Sequence, residues 1–348
     1  MAAVADGGGV VLVAQRVAST SERWPTICGM SRIMDETPLP ADGPNFGLVC
    51  LSFTEECRYR TITLTRFRAL AVDDRLNTLR ELYWDNLRRL HWTLGFCARR
   101  GIRLYRVTSG LFPMADEPEG EQVLSEMRAN LSSVGRRVER LGIRMLIHPD
   151  QFVVLNSESP KVVATSRRIM EKHALTFDLM GLPRSPWSAM ILHGGKAGRA
   201  NELVAEIATL PDGVRSRLCL ENDEYAYSAA EILDVCRRAG VPMIYDNLHH
   251  AIKDKLESYD DPSVARFVRA ARETWAPHPE WQIVHLSNGA KGFLDRNHSE
   301  LITELPGAYA EVRWIEVEAR GKERAIEDLR GRVGSESVAR ARTGRASK

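Results

Sequence analysis

Eight short apolar runs recur between positions 45 and 330, and longer amphipathic stretches fill most of the gaps between them. The runs are Gly47–Ser52, Arg103–Val107, Ile143–His148, Ala189–His193, Arg217–Glu221, Met243–Asp246, Ile283–Leu286 and Val312–Glu318. Short runs that are apolar at nearly every position suit strands covered on both faces, the condition of a parallel sheet. The intervening stretches carry a helical period instead. In Arg75–Arg100, Leu79, Leu82, Tyr83, Asn86, Leu87, Leu90, Leu94 and Cys97 make one stripe at i, i+3, i+4 spacing. Glu121–Leu141, Ser159–Met180, Ala200–Leu210, Ser228–Ala239 and Ser263–Trp275 read the same way, and Gly142 and Gly240 stand as stops after two of them. Eight alternating units predict an α/β fold, a (β/α)8 TIM barrel. A doubly wound sheet is the main rival. No GxGxxG or Walker sequence follows the first strand, which counts against its common nucleotide-binding form.

The chain has 348 residues, enough for a barrel of about 250 residues with extensions at both ends. Residues 1–45 are rich in Gly, Ala, Ser, Thr and Pro without any period and are predicted to be a disordered leader. Met30 and Met34 offer alternative starts. The barrel domain is expected over 46–330, and 331–348 as a flexible basic tail with a weak attraction for DNA. With 48 basic and 46 acidic residues the net charge is +2, which argues against histone-like binding but not against a local nucleic-acid groove. The six cysteines form no CxxC pair and read as reduced thiols of a cytoplasmic protein. No apolar run reaches the roughly 18 residues of a membrane span. Val10–Ala14 is too short for a signal core. A monomer without a membrane or an obligate protein partner is expected.

The strand ends carry the chemistry. The third run ends in His148 (IHPDQF), the fourth in His193 (LHGGK), the fifth in Glu221 (LENDE) and the sixth in Asp246 (DNLHH). The seventh holds His285 (VHLS) and the eighth Glu316 and Glu318 (WIEVEARGKE). Barrel enzymes place their active sites at this end of the strands. His, Asp and Glu together form the ligand set of divalent ions such as zinc and manganese. A single such residue is more often a hydrogen-bonded structural group. Six strands delivering them in register would crowd imidazoles and carboxylates at a desolvating cost that bound cations remove. The donors outnumber the needs of one tetrahedral ion, so two or three ions are expected. Closely spaced ions suit phosphodiester hydrolysis. They also suit sugar isomerisation, and ligand types alone do not separate the two.

The segments YRVTSGLFP (105–113), HPDQF (148–152), HGG (193–195), LEND (220–223), DNLHH (246–250), VHLS (284–287), NHS (297–299) and EVEARGKE (316–323) resemble, in order, the UV damage endonuclease family. The resemblance covers roughly residues 45–330. It implies a barrel related to endonuclease IV that holds two or three divalent ions, manganese above all, with zinc or magnesium as alternatives. It implies hydrolysis of damaged double-stranded DNA immediately 5′ to ultraviolet photoproducts, with abasic sites as a further substrate. Carried over by position, the metal ligands would be His148, His193, Glu221, Asp246, His249, His285, His298 and Glu318. Glu221, Asp246 and Glu318 would be the catalytic carboxylates, and Gln151 and Phe152 the wedge into the duplex.

The residue chemistry agrees with these roles. Asp246 and His249 are three apart, so one turn can aim both at one ion, and Glu316 and Glu318 share a strand face. An aromatic such as Phe152 can fill an opened base step. Core packing is the competing expectation, since Val153, Val154 and Leu155 follow. Photoproducts weaken stacking, so extrusion costs less and selectivity can come from deformability. Lys196, Arg199, Lys291 and Arg320 lie beside the strand-end motifs and are candidate phosphate contacts, against the plainer reading of surface charge. No protein nucleophile is assigned. The sequence departs from the family at Leu48, where the family has Tyr, at Ser52 for Asn, and at Ile283 for Lys. These changes bear on lesion preference and turnover rather than on metal binding. A xylose-isomerase-like sugar isomerase or epimerase and a non-catalytic damaged-DNA-binding protein are the alternatives.

Overall fold

The computed structural model describes residues 43–54 and 57–343. Its strands are β1 (Asn45–Val49), β2 (Leu104–Thr108), β3 (Arg144–His148), β4 (Met190–His193), β5 (Leu218–Glu221), β6 (Met243–Asp246), β7 (Ile283–Leu286) and β8 (Trp314–Val317). They pair in chain order, all parallel, and β8 returns to β1 through Gly47↔Glu316 to close the barrel. The expected TIM barrel is the observed fold, and each of the eight runs supplies its strand.

Strand alternation explains how this barrel makes a site. Residues two apart on a strand face the same way. Ile191, Cys219, Ile244, Ile283 and Trp314 pack into one buried apolar cluster in the barrel. Two residues further along each strand come His193, Glu221, Asp246, His285 and Glu316. An apolar floor therefore lies beneath a polar layer. The register sets the polar residues side by side, with His193↔Glu221, Asp246↔His285 and His285↔Glu316 as lateral partners.

The opposite end is closed by a cation. Arg144 opens β3 and is fully buried. It donates to the carbonyls of Trp187 (2.9 Å), Trp281 (2.8 Å) and Pro186 (2.9 Å). Its guanidinium carbon lies 4.8, 5.6 and 5.3 Å from the ring centres of Trp187, Trp275 and Trp314. Burial lowers its pKa to about 9. Carbonyl dipoles and indole faces take the place of a paired carboxylate here.

The helices follow the expected stretches with two differences. The stretch Glu121–Leu141 is two helices, Pro118–Glu126 and Arg128–Arg140, divided at Met127, whose ψ of 8° leaves the helical region. Val123, Leu124, Met127, Leu131 and Val134 are all buried, so the apolar stripe runs across the break. The second difference concerns the C-terminal segment. The last helix runs Glu323–Thr343, so residues 331–343, expected as a flexible tail, are helical. Arg330, the last residue of the expected barrel domain, and Arg332, in the expected tail, cap carbonyls: Arg330 those of Arg100 and Gly101, Arg332 that of Ile302. Residues 1–42 of the expected leader and the last five residues of the chain lie outside the described residues, while Asn45, expected as the end of the leader, is buried and opens β1. Gly240 caps the helix Ala229–Ala239 in the left-handed region, and Gly142 has φ of 61°. Among the described residues, no helix is long and apolar enough to cross a membrane.

Candidate active site and metal centre

Glu221, at the end of β5 and 1% exposed, is the hub of the barrel mouth. Its Oε2 lies 3.2 Å from His148 Nε2. Its Oε1 lies 2.9 Å from His285 Nδ1 and 3.3 Å from His249 Nδ1. Two groups of donors share it. One is His148, His193 and Glu221; the other is Glu221, Asp246 and His285; within each, one donor atom per residue lies within 4.8 Å of the others. These five were all expected as ligands from the sequence. The remaining three expected ligands surround them. His249 touches Glu221, Glu318 Oε1 is 3.5 Å from His285 Nδ1, and His298 Nε2 is 3.8 Å from Glu318 Oε2.

Local structure aims these groups. Asp246 ends β6 and caps the helix Asn247–Asp254, its Oδ1 accepting from the His249 backbone N–H at 2.7 Å. One carboxylate oxygen thus starts the helix that carries His249, and the other is free for the site. His249 is held further by Asn222 O at 3.0 Å and by Glu224 Oε2 at 3.5 Å. His285 is clamped from behind: Glu316 Oε2, fully buried, lies 2.6 Å from its Nε2. That bond turns Nδ1 towards Glu221 and Asp246. Arg106, from β2, pairs with Glu318 Oε1 at 2.6 Å and lies 3.7 Å from Glu316.

The donors fit metal ions. His193 Nδ1 and Asp246 Oδ2 are buried and make no hydrogen bond, and His285 Nδ1 faces only carboxylate oxygens, Glu221 Oε1 nearest at 2.9 Å. Leaving such atoms unsatisfied costs about 1–3 kcal/mol each. His285 Nδ1 and Asp246 Oδ2 stand 4.0 Å apart, too far for a direct bond and suited to a shared ion. The mixture of imidazole and carboxylate suits manganese or zinc.

Protonation follows the same geometry. Burial lowers the His193 pKa to about 4, leaving a neutral ring at pH 7. Burial would raise the Glu221 carboxyl, but the charges of His285 and His193 and the bonds from His148 and His249 outweigh it and hold it well below the usual range. Burial would lower His285 and His249, yet the carboxylates around them raise both well above an ordinary imidazole. Asp246 is raised by burial. Burial would also raise Glu318, but Arg106 outweighs it and pulls the pKa down.

The expected DNA-contacting residues fall into three situations. Gln151 is exposed and Phe152 is 63% exposed, so Phe152 is not a core residue; Val153 and Leu155 take that role. Lys196, Lys291 and Arg320 are exposed. Lys291 and Arg320 line a cleft of 540 Å³ with Arg296 and His298. Arg199 instead braces its loop, donating to Asn156 O at 2.7 Å and pairing with Glu202 at 3.3 Å. A second cleft, of 190 Å³, is lined by His148, Gln151, His193, Glu224 and Tyr225, and Arg296 borders both. Leu48 is 1% exposed, and Ile283 belongs to the apolar floor.

Sequence patterns assign no role to Glu224 and only a motif membership to Arg106. Their signals were available: an extra acid directly after LEND, and a charged residue inside an otherwise apolar strand.

Residues 44–340 match the family model described as UV-endonuclease UvdE. The chain is 52% identical over 289 residues to a UV DNA damage endonuclease of Nostoc sp., covering 82% of this chain and 89% of that one. It is 51% identical over 290 residues to a UV DNA damage endonuclease of Deinococcus radiodurans, covering 82% and 95%. The crystal structure of SacUVDE superposes with a TM-score of 0.69 at 25% identity, covering 83% of this chain and 98% of that one. The chain belongs to the UV-endonuclease UvdE family.

Proposed function

We propose that the protein is a divalent-metal-dependent endonuclease of DNA repair that hydrolyses duplex DNA immediately 5′ to ultraviolet photoproducts. The observation that carries this reading is Glu221, one buried carboxylate shared by two donor groups at the barrel mouth. The family's relatives are UV DNA damage endonucleases, which supports the substrate. His148, His193, Glu221, Asp246 and His285 would hold two ions, and His249, His298 and Glu318 stand where a third would be served. Manganese is the expected ion, with zinc or magnesium as alternatives. Bound there, such ions acidify water and offset charge on the attacked phosphate.

The chain's own residues do the rest. Glu316 fixes the His285 ring, and Arg106 holds Glu318 ionised and oriented towards the same space. Gln151 and Phe152 stand out from the surface as a wedge, ready to fill a base step that the lesion has weakened. Lys196, Lys291 and Arg320 hold phosphates, while Arg199 supports the Lys196 loop. Because selection rests on a weakened stack, abasic sites share the property that photoproducts offer. The enzyme acts on DNA as a monomer, without a protein partner.

Irradiated supercoiled plasmid tests this reading. Manganese-loaded protein should relax the irradiated plasmid and spare the unirradiated one. Glu221→Ala and His249→Ala should abolish relaxation. Gln151→Ala with Phe152→Ala should keep the metal content and weaken binding to irradiated DNA. Equal relaxation of both plasmids, or full activity of Glu221→Ala, would contradict it. Turnover of a ketose without DNA would point to an isomerase instead.

A further inference from the structure

We infer that Tyr225, flanked by Arg296 and Lys253, is a stacking site for an unpaired nucleobase at the rim of the active site. The inference rests on the DNA reading above and adds a contact to it.

Four observations converge on this residue. First, its main chain is fixed. Asp223, itself buried, accepts from the Tyr225 N–H at 2.7 Å and from the N–H of Ala226, and Lys253 Nζ donates to Tyr225 O at 2.6 Å. Second, its side chain stands in water, with the residue 61% exposed. An aromatic ring on a pinned backbone has only two torsions to lose on contact. Third, it sits beside the chemistry: Tyr225 lines the same cleft as His148 and His193, and its neighbour Glu224 faces His249 at 3.5 Å. Fourth, it is bordered by cations. The Arg296 guanidinium carbon is 5.2 Å from the ring centre and the same group donates to the Tyr225 hydroxyl.

This combination selects a class of ligand. A ring face takes any base, because every base has a π-face, and neighbouring cations hold the phosphates on either side of it. Gln151 lines the same cleft, from the loop that carries exposed Phe152. Phe152 would open a base step, and Tyr225 would receive a base released by the opening. Arg296 borders both clefts, so one side chain steadies the ring and reaches the backbone that passes His298.

The test is steady-state nicking of a duplex carrying one thymine dimer, alongside anisotropy binding of the same duplex without the dimer. Tyr225→Ala should raise KM for the dimer duplex about tenfold, with undamaged binding and metal content as in the wild type. Tyr225→Phe, which keeps the ring, should restore the wild-type KM. Arg296→Ala should weaken both duplexes and lower the salt slope of undamaged binding by about 1. A wild-type KM in Tyr225→Ala overturns the inference and leaves the endonuclease reading standing. So does a loss in Tyr225→Phe equal to that in Tyr225→Ala, which would assign the effect to the hydroxyl. If the wild type itself fails to nick the dimer duplex, the endonuclease reading fails and the inference falls with it.

Discussion

Glu221 enters both donor groups, so removing its carboxylate takes a ligand from each at once. Glu221→Ala should therefore lose more bound metal than His148→Ala, measured by elemental analysis after dialysis; equal losses would show that the carboxylate is not shared. Glu316 acts one step back, through the 2.6 Å contact to His285. Glu316→Gln should weaken metal affinity by about 10- to 100-fold, as removal of such outer partners does elsewhere. Isothermal titration of manganese into the variant checks this, and an unchanged affinity would mean the ring is held without Glu316. Proton linkage follows from the raised His249 and His285 pKa values. Those rings retain protons that a cation must displace, so metal binding should release protons and tighten as pH rises. Titrations in two buffers of different ionisation enthalpy read the protons released; none released would contradict the raised values. Much of this residue scale was legible beforehand, because each strand-end donor is the last inward residue of an apolar run. The partners of Glu224 and Arg106 were not, because they depend on which side chains the closed barrel brings together across strands.

Elements were legible wherever the period was strong and the surroundings simple. All eight strands follow their runs to within about three residues at either end. The break at Met127 was hidden because a single turn residue does not interrupt a stripe at i, i+3, i+4 spacing. The helix through residues 331–343 was not legible, because composition does not show that Arg330 and Arg332 find carbonyls to cap. Arg144 was equally invisible, since its aromatic cage draws on Trp187, Trp275 and Trp314 from distant parts of the sequence. One close approach sets a helix pair. A Cβ on Gly135 would lie 1.6 Å from Met180 O, so the helices Arg128–Arg140 and Pro160–Met180 meet at van der Waals contact there. Gly135→Ala should cost at least about 1–3 kcal/mol, the range of overpacked sites. Urea denaturation measures it, and a stability equal to wild type would show that the pair can part freely.

At the scale of the barrel, the architecture separates stability from chemistry by height. An apolar floor and the caged Arg144 lie low, and the donors lie at the strand ends. The net charge of +2 hides this division, because cations and carboxylates gather at the same mouth. The cations Lys291, Arg296 and Arg320 are grouped around one cleft beside His298, where a phosphate backbone can meet the site. Whether that mouth cuts DNA at a lesion is best asked with an end-labelled duplex carrying a single pyrimidine dimer, incubated with manganese or with a chelator. One manganese-dependent cut directly 5′ to the dimer is the expected result. An uncut duplex from protein that elemental analysis shows to be metal-loaded would contradict it.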